Sequence, residues 1–80
     1  MSLNLRIVSP EKVEFEGQVD RVVVPGANGE FEILVNHAPI ISTLVSGRIA
    51  FFDSEGEHEV AAMGGFVEVQ KNNVNVCVEL

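Results

Sequence analysis

The sequence predicts an all-β fold, specifically a two-layer β-sandwich of about ten short strands with no long helix. Three observations lead to this prediction. Apolar and polar residues alternate with a period of two in several segments, which places one face of each strand in a core and the other toward water. Valine, whose branched Cβ suits a pleated strand, is the most common residue, at 14 of 80. Turn-forming residues separate these segments at short, even intervals, as in sandwiches and barrels.

The first half of the chain carries four of the predicted strands. Residues 3–7 alternate between aliphatic and polar side chains, which predicts a first strand with one buried face. Residues 13–19 alternate in the same way and predict the second strand. Residues 22–24 are three consecutive valines, which fits a strand covered on both faces or a bulge near Asp20-Arg21. Residues 30–33 alternate again and predict a fourth, short strand.

The second half carries the remaining predicted strands. Residues 40–45 and 48–52 have apolar side chains on both faces. Residues 57–63 and 66–70 come next. The last strand, residues 73–80, has the clearest pattern, because its even positions are three valines and a leucine while its odd positions are asparagine, cysteine and glutamate.

Turn signals stand between the predicted strands: Ser9-Pro10, Pro25–Gly29, Ser46-Gly47, Asp53–Gly56, Gly64-Gly65 and Lys71–Asn73. Asn28-Gly29 tolerates the positive φ that tight reversals require. The adjacent glycines before Phe66 indicate either positive φ or a close approach of another backbone segment. No window of eleven residues keeps a helical apolar stripe. We therefore expect a single domain over residues 1–80, without a linker or an internal repeat.

The charge balance excludes two classes of partner. Twelve acidic side chains against five basic ones give a formal net charge of −7. With so few basic residues we expect no nucleic-acid binding and no direct docking on anionic lipids.

The sequence shows neither a signal peptide nor an apolar run of the roughly 20 residues that span a bilayer. The single cysteine, Cys77, cannot form an internal disulfide, and a reducing cytoplasm is the expected compartment.

The sequence contains no catalytic or metal-ligand constellation. His37 and His58 lie far apart, Cys77 has no Cys-x-x-Cys partner, and no zinc-ligand spacing is present. We interpret His58 as a surface histidine on a strand and Cys77 as a small hydrophobic residue. The glutamates near residues 14–16 and 55–59 are interpreted as solvated strand faces. We therefore expect no enzyme activity, no metal and no cofactor.

Three segments contain residues that a simple β-scaffold does not require. They are the Gly-rich turn with its following strand at Pro25–Glu32, the Asn36–Pro39 segment, and Gly64-Gly65-Phe66. Together with the opening Leu5–Glu11, the Phe15-Glu16-Gly17 step and the Val74-Asn75-Val76 strand, they resemble the N-terminal β-sandwich domain of the epsilon subunit of F-type ATP synthases. The resemblance covers essentially the whole chain. Glu32 departs from the family's usual glycine, and Val35 departs from its usual proline.

The resemblance implies a mechanical function. In that family the domain is a non-catalytic part of the central rotor, which holds the foot of the gamma subunit and seats on the polar loops of the c-ring. It couples ion flow to ATP synthesis at the cytoplasmic face of the bacterial inner membrane. The resemblance places the loop residues Gly26, Gly29, Glu30 and Phe31 near the c-ring. It places His37 toward gamma, with Ser9 nearby.

Members of the family often carry a C-terminal helical hairpin that inhibits ATP hydrolysis and in some cases binds ATP. The sequence stops at Leu80, where that hairpin would begin, so we expect neither inhibition nor bound ATP from these residues.

Two other functions stay open on the residues alone. One is a lipoyl or biotinyl carrier domain with Lys71 as the modified residue on a turn, and the other is an unrelated β-sandwich adaptor.

Overall fold

Nine β-strands make up most of the computed structural model, which describes residues 2–80. In chain order they are β1 (Leu3–Val8), β2 (Val13–Val19), β3 (Arg21–Gly26), β4 (Gly29–Leu34), β5 (Ile40–Leu44), β6 (Gly47–Asp53), β7 (Gly56–Ala62), β8 (Gly64–Gln70) and β9 (Asn73–Glu79). The all-β prediction is confirmed, with nine strands where about ten were expected. Within residues 2–80 the structure contains no helix that could cross a membrane.

The strands form two layers that are joined along one side. The front sheet has the order β2-β1-β9-β8-β5, and the back sheet has the order β4-β3-β6-β7. They are connected where Gly26 of β3 pairs with Leu44 of β5. All neighbouring strands run antiparallel except β1 and β9, which pair in parallel from Asn4 with Asn73 to Val8 with Cys77.

The core lies between the two layers and is built by the alternation that the sequence predicts. The front sheet contributes residues that are almost completely buried: Leu3, Leu5, Ile7, Val67, Val69, Val74, Val76 and Val78. The back sheet contributes Val22, Val24, Ile33, Ile49 and Phe51. These side chains form one hydrophobic cluster. Burial of apolar surface on both faces of the interior is the main free-energy gain that holds the layers together.

The turn predicted at Gly64-Gly65 is part of a strand in the structure. Gly64 and Gly65 belong to β8, where they pair with Glu79 and Val78 of β9, and the chain bends at Met63, where it passes from the back sheet to the front sheet. The turn prediction at these glycines is therefore wrong, but the alternative signal is confirmed. Gly65 has a φ of +144°, and a Cβ there would lie 1.9 Å from the main-chain oxygen of Cys77. The pair of glycines permits two backbones to approach rather than a reversal.

The Gly-rich segment at residues 25–29 is shorter as a turn than the sequence indicates. Pro25 and Gly26 are the last residues of β3, and the reversal itself consists of Ala27 and Asn28. Gly26 pairs directly with Gly29, so β3 and β4 form a two-residue hairpin. Gly29 supplies the positive φ, at +125°. The additional glycine that made the segment look like a long loop serves packing inside β3.

His58 lies on β7 as predicted, and its side chain is 38% exposed although one face of the ring packs against a core residue. Its ring stacks on Phe51 with centroids 5.3 Å apart, and Phe51 contacts the ring of Phe15 at 4.3 Å. His58 Nε2 donates a hydrogen bond of 3.0 Å to Asp53 Oδ1, and the main-chain N–H of Glu55 donates one of 2.8 Å to the same oxygen. Asp53 therefore closes the β6–β7 turn from both sides.

The Asp53 contacts predict an acid-sensitive contribution to stability. The hydrogen bond from His58, followed by the one from Glu55, lowers the pKa of Asp53 below its ordinary 3.8. Because the folded pKa lies below the unfolded one, the stabilisation is present above pH 3.8 and is lost as the pH falls through the lowered folded pKa. We expect the difference in melting temperature between the wild type and Asp53→Asn to shrink as the pH is lowered from about 5 to about 2.

The control for this prediction is Glu55→Gln, which removes a carboxylate from the same turn but keeps the main-chain N–H that donates a hydrogen bond to Asp53. Melting curves of the three proteins, recorded by circular dichroism over that pH range, separate the effect of Asp53 from general acid titration. A difference between the wild type and Asp53→Asn that stays constant with pH would contradict the assignment.

Candidate partner interface

The β3–β4 hairpin is fastened to the end of β5, so its tip is held in a fixed place. The main-chain N–H of Ala27 donates to the oxygen of Thr43 at 2.9 Å, and that of Val45 donates to the oxygen of Pro25 at 2.9 Å. These bonds satisfy main-chain groups on both sides of the point where the two sheets meet. The hairpin tip is therefore a rigid projection at one end of the sandwich, which we call the hairpin end.

The four hairpin residues implied by the resemblance divide into two pairs. Gly29 and Glu30 are exposed at the tip. Gly26 is buried, and a Cβ there would lie 2.7 Å from the main-chain oxygen of Gly29 and 2.8 Å from Cε1 of Phe31. Phe31 is half-buried and packs against the core cluster. Gly26 and Phe31 thus shape the hairpin from below, while Gly29 and Glu30 are available to another molecule.

Glu30 also differs from its neighbour two residues along β4 in its ionic contacts. Glu32 pairs with Arg21 at 2.6 Å, and the guanidinium of Arg21 lies 3.8 Å from the ring centroid of Phe52. Glu32, which departs from the family pattern, is thereby neutralised on the back sheet. Glu30 has no ion-pair partner among the residues that the structure describes, so its charge is presented to solvent at the tip.

Ser9 lies directly after β1, and its hydroxyl is engaged in its own turn. The oxygen accepts a hydrogen bond of 3.3 Å from the main-chain N–H of Lys12 and lies 3.0 Å from Glu14 Oε2. Since a carboxylate only accepts, the hydroxyl donates its proton to Glu14. Ser9 lies at the end of the front sheet where β9 ends, beside a shallow groove lined by Val8, Ser9, Pro10, Gly65, Phe66, Cys77, Val78 and Glu79.

His37 lies in the connection between β4 and β5, half-buried. Its Nδ1 lies 2.7 Å from the carbonyl oxygen of Ala38, so Nδ1 carries the proton and donates it. In the neutral ring this leaves Nε2 as an acceptor for a donor on another molecule. The preceding Asn36 has a φ of +65°, which makes the sharp bend that follows β4. His37 is a candidate contact from the sequence alone, whereas the role of Asn36 emerges only in the structure.

Ser9 and His37 are not close together, which corrects the expectation that Ser9 lies near His37. Ser9 follows Val8, which pairs with Cys77 at the end of β9, whereas Asn4 pairs with Asn73 at its start. His37 belongs to the end where β9 starts, because Asn36 bonds to Asn72. The two ends of the front sheet are separated by at least four residues, or about 13 Å at 3.3 Å per residue.

A row of apolar side chains crosses the outer face of the front sheet near Ser9. Phe66 pairs with Cys77, and Cys77 pairs with Val8 on the neighbouring strand. Phe66 is 48% exposed, and Ile41 on the adjacent β5 is 74% exposed. The sequence carried this signal, since Phe66 and Cys77 occupy outward positions of their strands. Their alignment across three strands depends on a register that the sequence alone does not reveal.

Within residues 2–80 no three His, Cys, Asp or Glu side chains are placed to hold a metal ion. Lys71, the residue on which a carrier function would depend, is exposed on the β8–β9 turn with a φ of +52°. The structure instead offers two surfaces: the exposed hairpin tip with Glu30, and the outer face of the front sheet, which has the row of apolar side chains near Ser9 and the His37 loop at its opposite end.

Comparisons with known proteins agree with the resemblance drawn from the sequence. The family described as "ATP synthase, Delta/Epsilon chain, beta-sandwich domain" matches residues 2–80. A protein of Leptospira borgpetersenii named "ATP synthase epsilon chain" is 42% identical over 77 residues, which are 96% of this chain and 61% of that protein. One of Desulfitobacterium hafniense with the same name is 41% identical over 78 residues, 98% of this chain and 59% of that protein. The chain thus spans about 60% of the length of these relatives.

Two solved structures share the fold. A chain of the Euglena gracilis mitochondrial ATP synthase, solved as an OSCP/F1/c-ring assembly, superposes with a TM-score of 0.89 at 18% identity, covering 96% of this chain and 50% of that chain. A chain of the Tetrahymena thermophila mitochondrial ATP synthase, solved as central stalk and c-ring, gives 0.80 at 16% identity, covering 100% and 65%. With the family match over residues 2–80, the chain belongs to the ATP synthase delta/epsilon chain family, of which it contains the β-sandwich domain.

Proposed function

We propose that this chain acts as a non-catalytic central-stalk subunit of an F-type ATP synthase and connects the gamma subunit to the c-ring. The observation that carries the proposal is the family match over residues 2–80. In this role the chain passes torque from ion flow to the catalytic head, and it neither moves ions nor hydrolyses ATP itself. It would lie at the cytoplasmic face of the bacterial inner membrane, held there through its protein partners.

The fold supports a mechanical role. The core is continuous between the two sheets, and every one of its fully buried side chains is aliphatic. Interiors of this kind are close-packed and have low compressibility, so a force applied at one end reaches the other with little internal movement. A rotor element needs this stiffness together with two separate contact surfaces.

The first contact surface is the hairpin end, which we assign to the c-ring. Gly29 and Glu30 would meet the polar loops of the ring directly, and Gly26 and Phe31 would support the tip from inside. The free carboxylate of Glu30 suits a basic group on a loop. The net charge of −7 adds a general attraction toward basic protein surfaces.

The second contact surface is the outer face of the front sheet, which we assign to gamma. His37 and Ser9 mark its two ends, and the exposed Phe66 lies near the Ser9 end. Because the two ends are about 13 Å apart, a single partner must extend along the sheet to reach both. An aromatic side chain between polar ends is typical of a protein interface, in which the apolar part supplies most of the binding energy.

Charge reversal at Glu30 tests the assignment of the hairpin end. We expect Glu30→Lys to weaken binding to isolated c-rings by about three- to tenfold, because one favourable surface pair becomes repulsive. The loss should diminish with added salt, since exposed charges are screened. The fold should be unaffected, because Glu30 makes no ion pair within residues 2–80. Binding is measured by sedimentation with detergent-solubilised c-rings, and folding by circular dichroism.

The matched control is Glu55→Lys, which changes the net charge equally but lies on the β6–β7 turn. If both variants lose the same affinity, only the overall charge matters and the Glu30 contact is wrong.

Purification from the native host tests the whole proposal, which predicts that gamma and the catalytic head accompany the chain. A chain that is isolated without them, or that carries a lipoyl- or biotin-sized mass on Lys71, would overturn it.

A further inference from the structure

The β8–β9 turn reaches across to the loop that carries His37, although 36 residues separate them in the chain. The main-chain N–H of Asn36 donates a hydrogen bond of 2.6 Å to Asn72 Oδ1, and Asn72 Nδ2 donates one of 3.3 Å to Asn36 Oδ1. A main-chain N–H can only donate, so the oxygen of the Asn72 carboxamide must face it and the nitrogen is left for Asn36 Oδ1. We call this reciprocal pair the asparagine clip.

Both members of the clip have left-handed backbone conformations. Asn36 has a φ of +65° and Asn72 a φ of +64°. Glycine would meet this backbone requirement without a side chain, whereas asparagine tolerates it and adds a carboxamide. The two asparagines therefore each lie in a turn of the chain and also join the two turns to each other. A glycine at either position would keep the turn and lose the side-chain part of the connection.

The clip is anchored to the front sheet on its other side. The main-chain oxygen of Asn72 accepts a hydrogen bond of 2.8 Å from the N–H of Asn4 at the start of β1. Asn4 Nδ2 also donates to Asn73 Oδ1 at 3.2 Å. Asn72 thus contacts β1 through its main chain and Asn36 through its side chain. The loop is therefore fastened to a turn that is itself hydrogen-bonded to β1.

The loop at residues 35–39 needs this support because it crosses from the back sheet to the front sheet. Its other polar contacts are local: the N–H of His37 donates to the oxygen of Leu34 at 3.1 Å, and His37 Nδ1 donates to the oxygen of Ala38. Such bonds set the shape of the loop but do not set where it stands on the front sheet. The clip does so, one residue before His37.

We propose that Asn72 is a positioning residue for His37, acting through Asn36 to hold the imidazole at its place on the front sheet. Partner binding at His37 then depends on a residue that does not itself contact the partner. The part of this inference that concerns binding rests on the proposed function, because His37 is assigned to the gamma surface there. The part that concerns the loop stands on the hydrogen bonds alone.

The test compares Asn72→Gly with Lys71→Gly in the same turn, since both keep a left-handed backbone and only the first removes the clip. We expect the amide hydrogen of Asn36 to exchange about tenfold faster in Asn72→Gly and at an unchanged rate in Lys71→Gly, measured by NMR. The affinity for an isolated gamma subunit, measured by calorimetry, should fall about fivefold in Asn72→Gly and stay unchanged in Lys71→Gly.

A double-mutant cycle with His37→Ala separates positioning from a general loss of stability. If Asn72 acts through His37, adding Asn72→Gly to His37→Ala should cause no further loss of affinity. A purely structural effect would instead add to the first loss. Melting temperatures of all four proteins show whether any loss follows from unfolding.

Each outcome decides a separate point. Unchanged exchange at Asn36 in Asn72→Gly overturns the clip. Faster exchange with unchanged affinity, when His37→Ala does weaken binding, overturns the positioning role and leaves the proposed function in place. If His37→Ala binds like the wild type, the His37 contact is wrong and the positioning role falls with it. A wild-type chain that does not bind gamma overturns the proposed function itself, while the exchange rates still decide whether the clip exists.

Discussion

Replacing Gly65 by alanine is expected to leave the chain largely unfolded. A Cβ at this position would lie 1.9 Å from the main-chain oxygen of Cys77, and the φ of +144° is one that alanine rarely adopts. The obstacle is backbone, so β9 itself would have to move away from β8. We expect a loss of more than about 4 kcal/mol, which lies in the range reserved for severe local conflicts. An 80-residue domain has a total stability of about 4–12 kcal/mol, so little would remain.

The adjacent glycine provides the control. A Cβ at Gly64 would have its nearest neighbours at 3.6 Å and 4.0 Å, which are ordinary contacts, and its φ is not in the left-handed region. Gly64→Ala should therefore fold, with a change below about 1 kcal/mol. The chain has no tryptophan and no tyrosine, so urea unfolding is followed by far-ultraviolet circular dichroism. Equal stability of the two variants would mean that β8 and β9 do not approach as described.

Replacing Phe51 by alanine should cost about 3–5 kcal/mol, the usual range for an aromatic side chain removed from a core. Phe51 is 3% exposed and contacts Phe15 of the front sheet as well as His58 of the neighbouring strand. Its loss would leave a cavity between the two layers and remove the surface on which His58 rests. The free energy of unfolding from urea titration measures the effect.

The neighbouring Phe52 provides the control, because its side chain points to the opposite face of β6. Phe52 is half-buried on the outer face of the back sheet, beneath the guanidinium of Arg21. Phe52→Ala removes an equal volume but opens no cavity, and should cost about 1 kcal/mol through the lost cation–π contact. A larger loss for Phe52→Ala than for Phe51→Ala would indicate that β6 has the opposite face inward.

The sequence predicts a strand correctly where one face of the strand is exposed to solvent and the other is buried in the core. β1 and β9 show strict alternation, and the structure buries Leu3, Leu5 and Ile7 of the first with the valines of the second. The signal failed at Gly64-Gly65, because adjacent glycines serve equally for a reversal and for a close approach of two backbones. A choice between these uses requires knowledge of what lies beside the strand, and β9 is beside it only after folding.

The candidate interface was predictable as a set of residues but not as an arrangement. The hairpin motif led to Glu30, and the structure presents its side chain at an exposed tip. The distance between Ser9 and His37 depends on the parallel pairing of β1 with β9, which leaves no mark on local sequence. Asn36 and Asn72 each read as ordinary turn residues. Their contact spans 36 residues, and only the tertiary structure brings them together.

The parallel pairing of β1 with β9 also determines when the domain can form. β1 is the second strand of the front sheet, and one of its two neighbours begins at Asn73, so that Asn4 and the partner of its side chain are 69 residues apart in the chain. During synthesis the aliphatic face of β1 can pair with β2 early, but the centre of the front sheet stays open until β9 has emerged. Loop closure over this length is entropically costly, and folds dominated by distant pairings form slowly. A ribosome that is synthesising this domain therefore holds an incomplete sandwich with exposed aliphatic side chains until residues 73–79 have emerged.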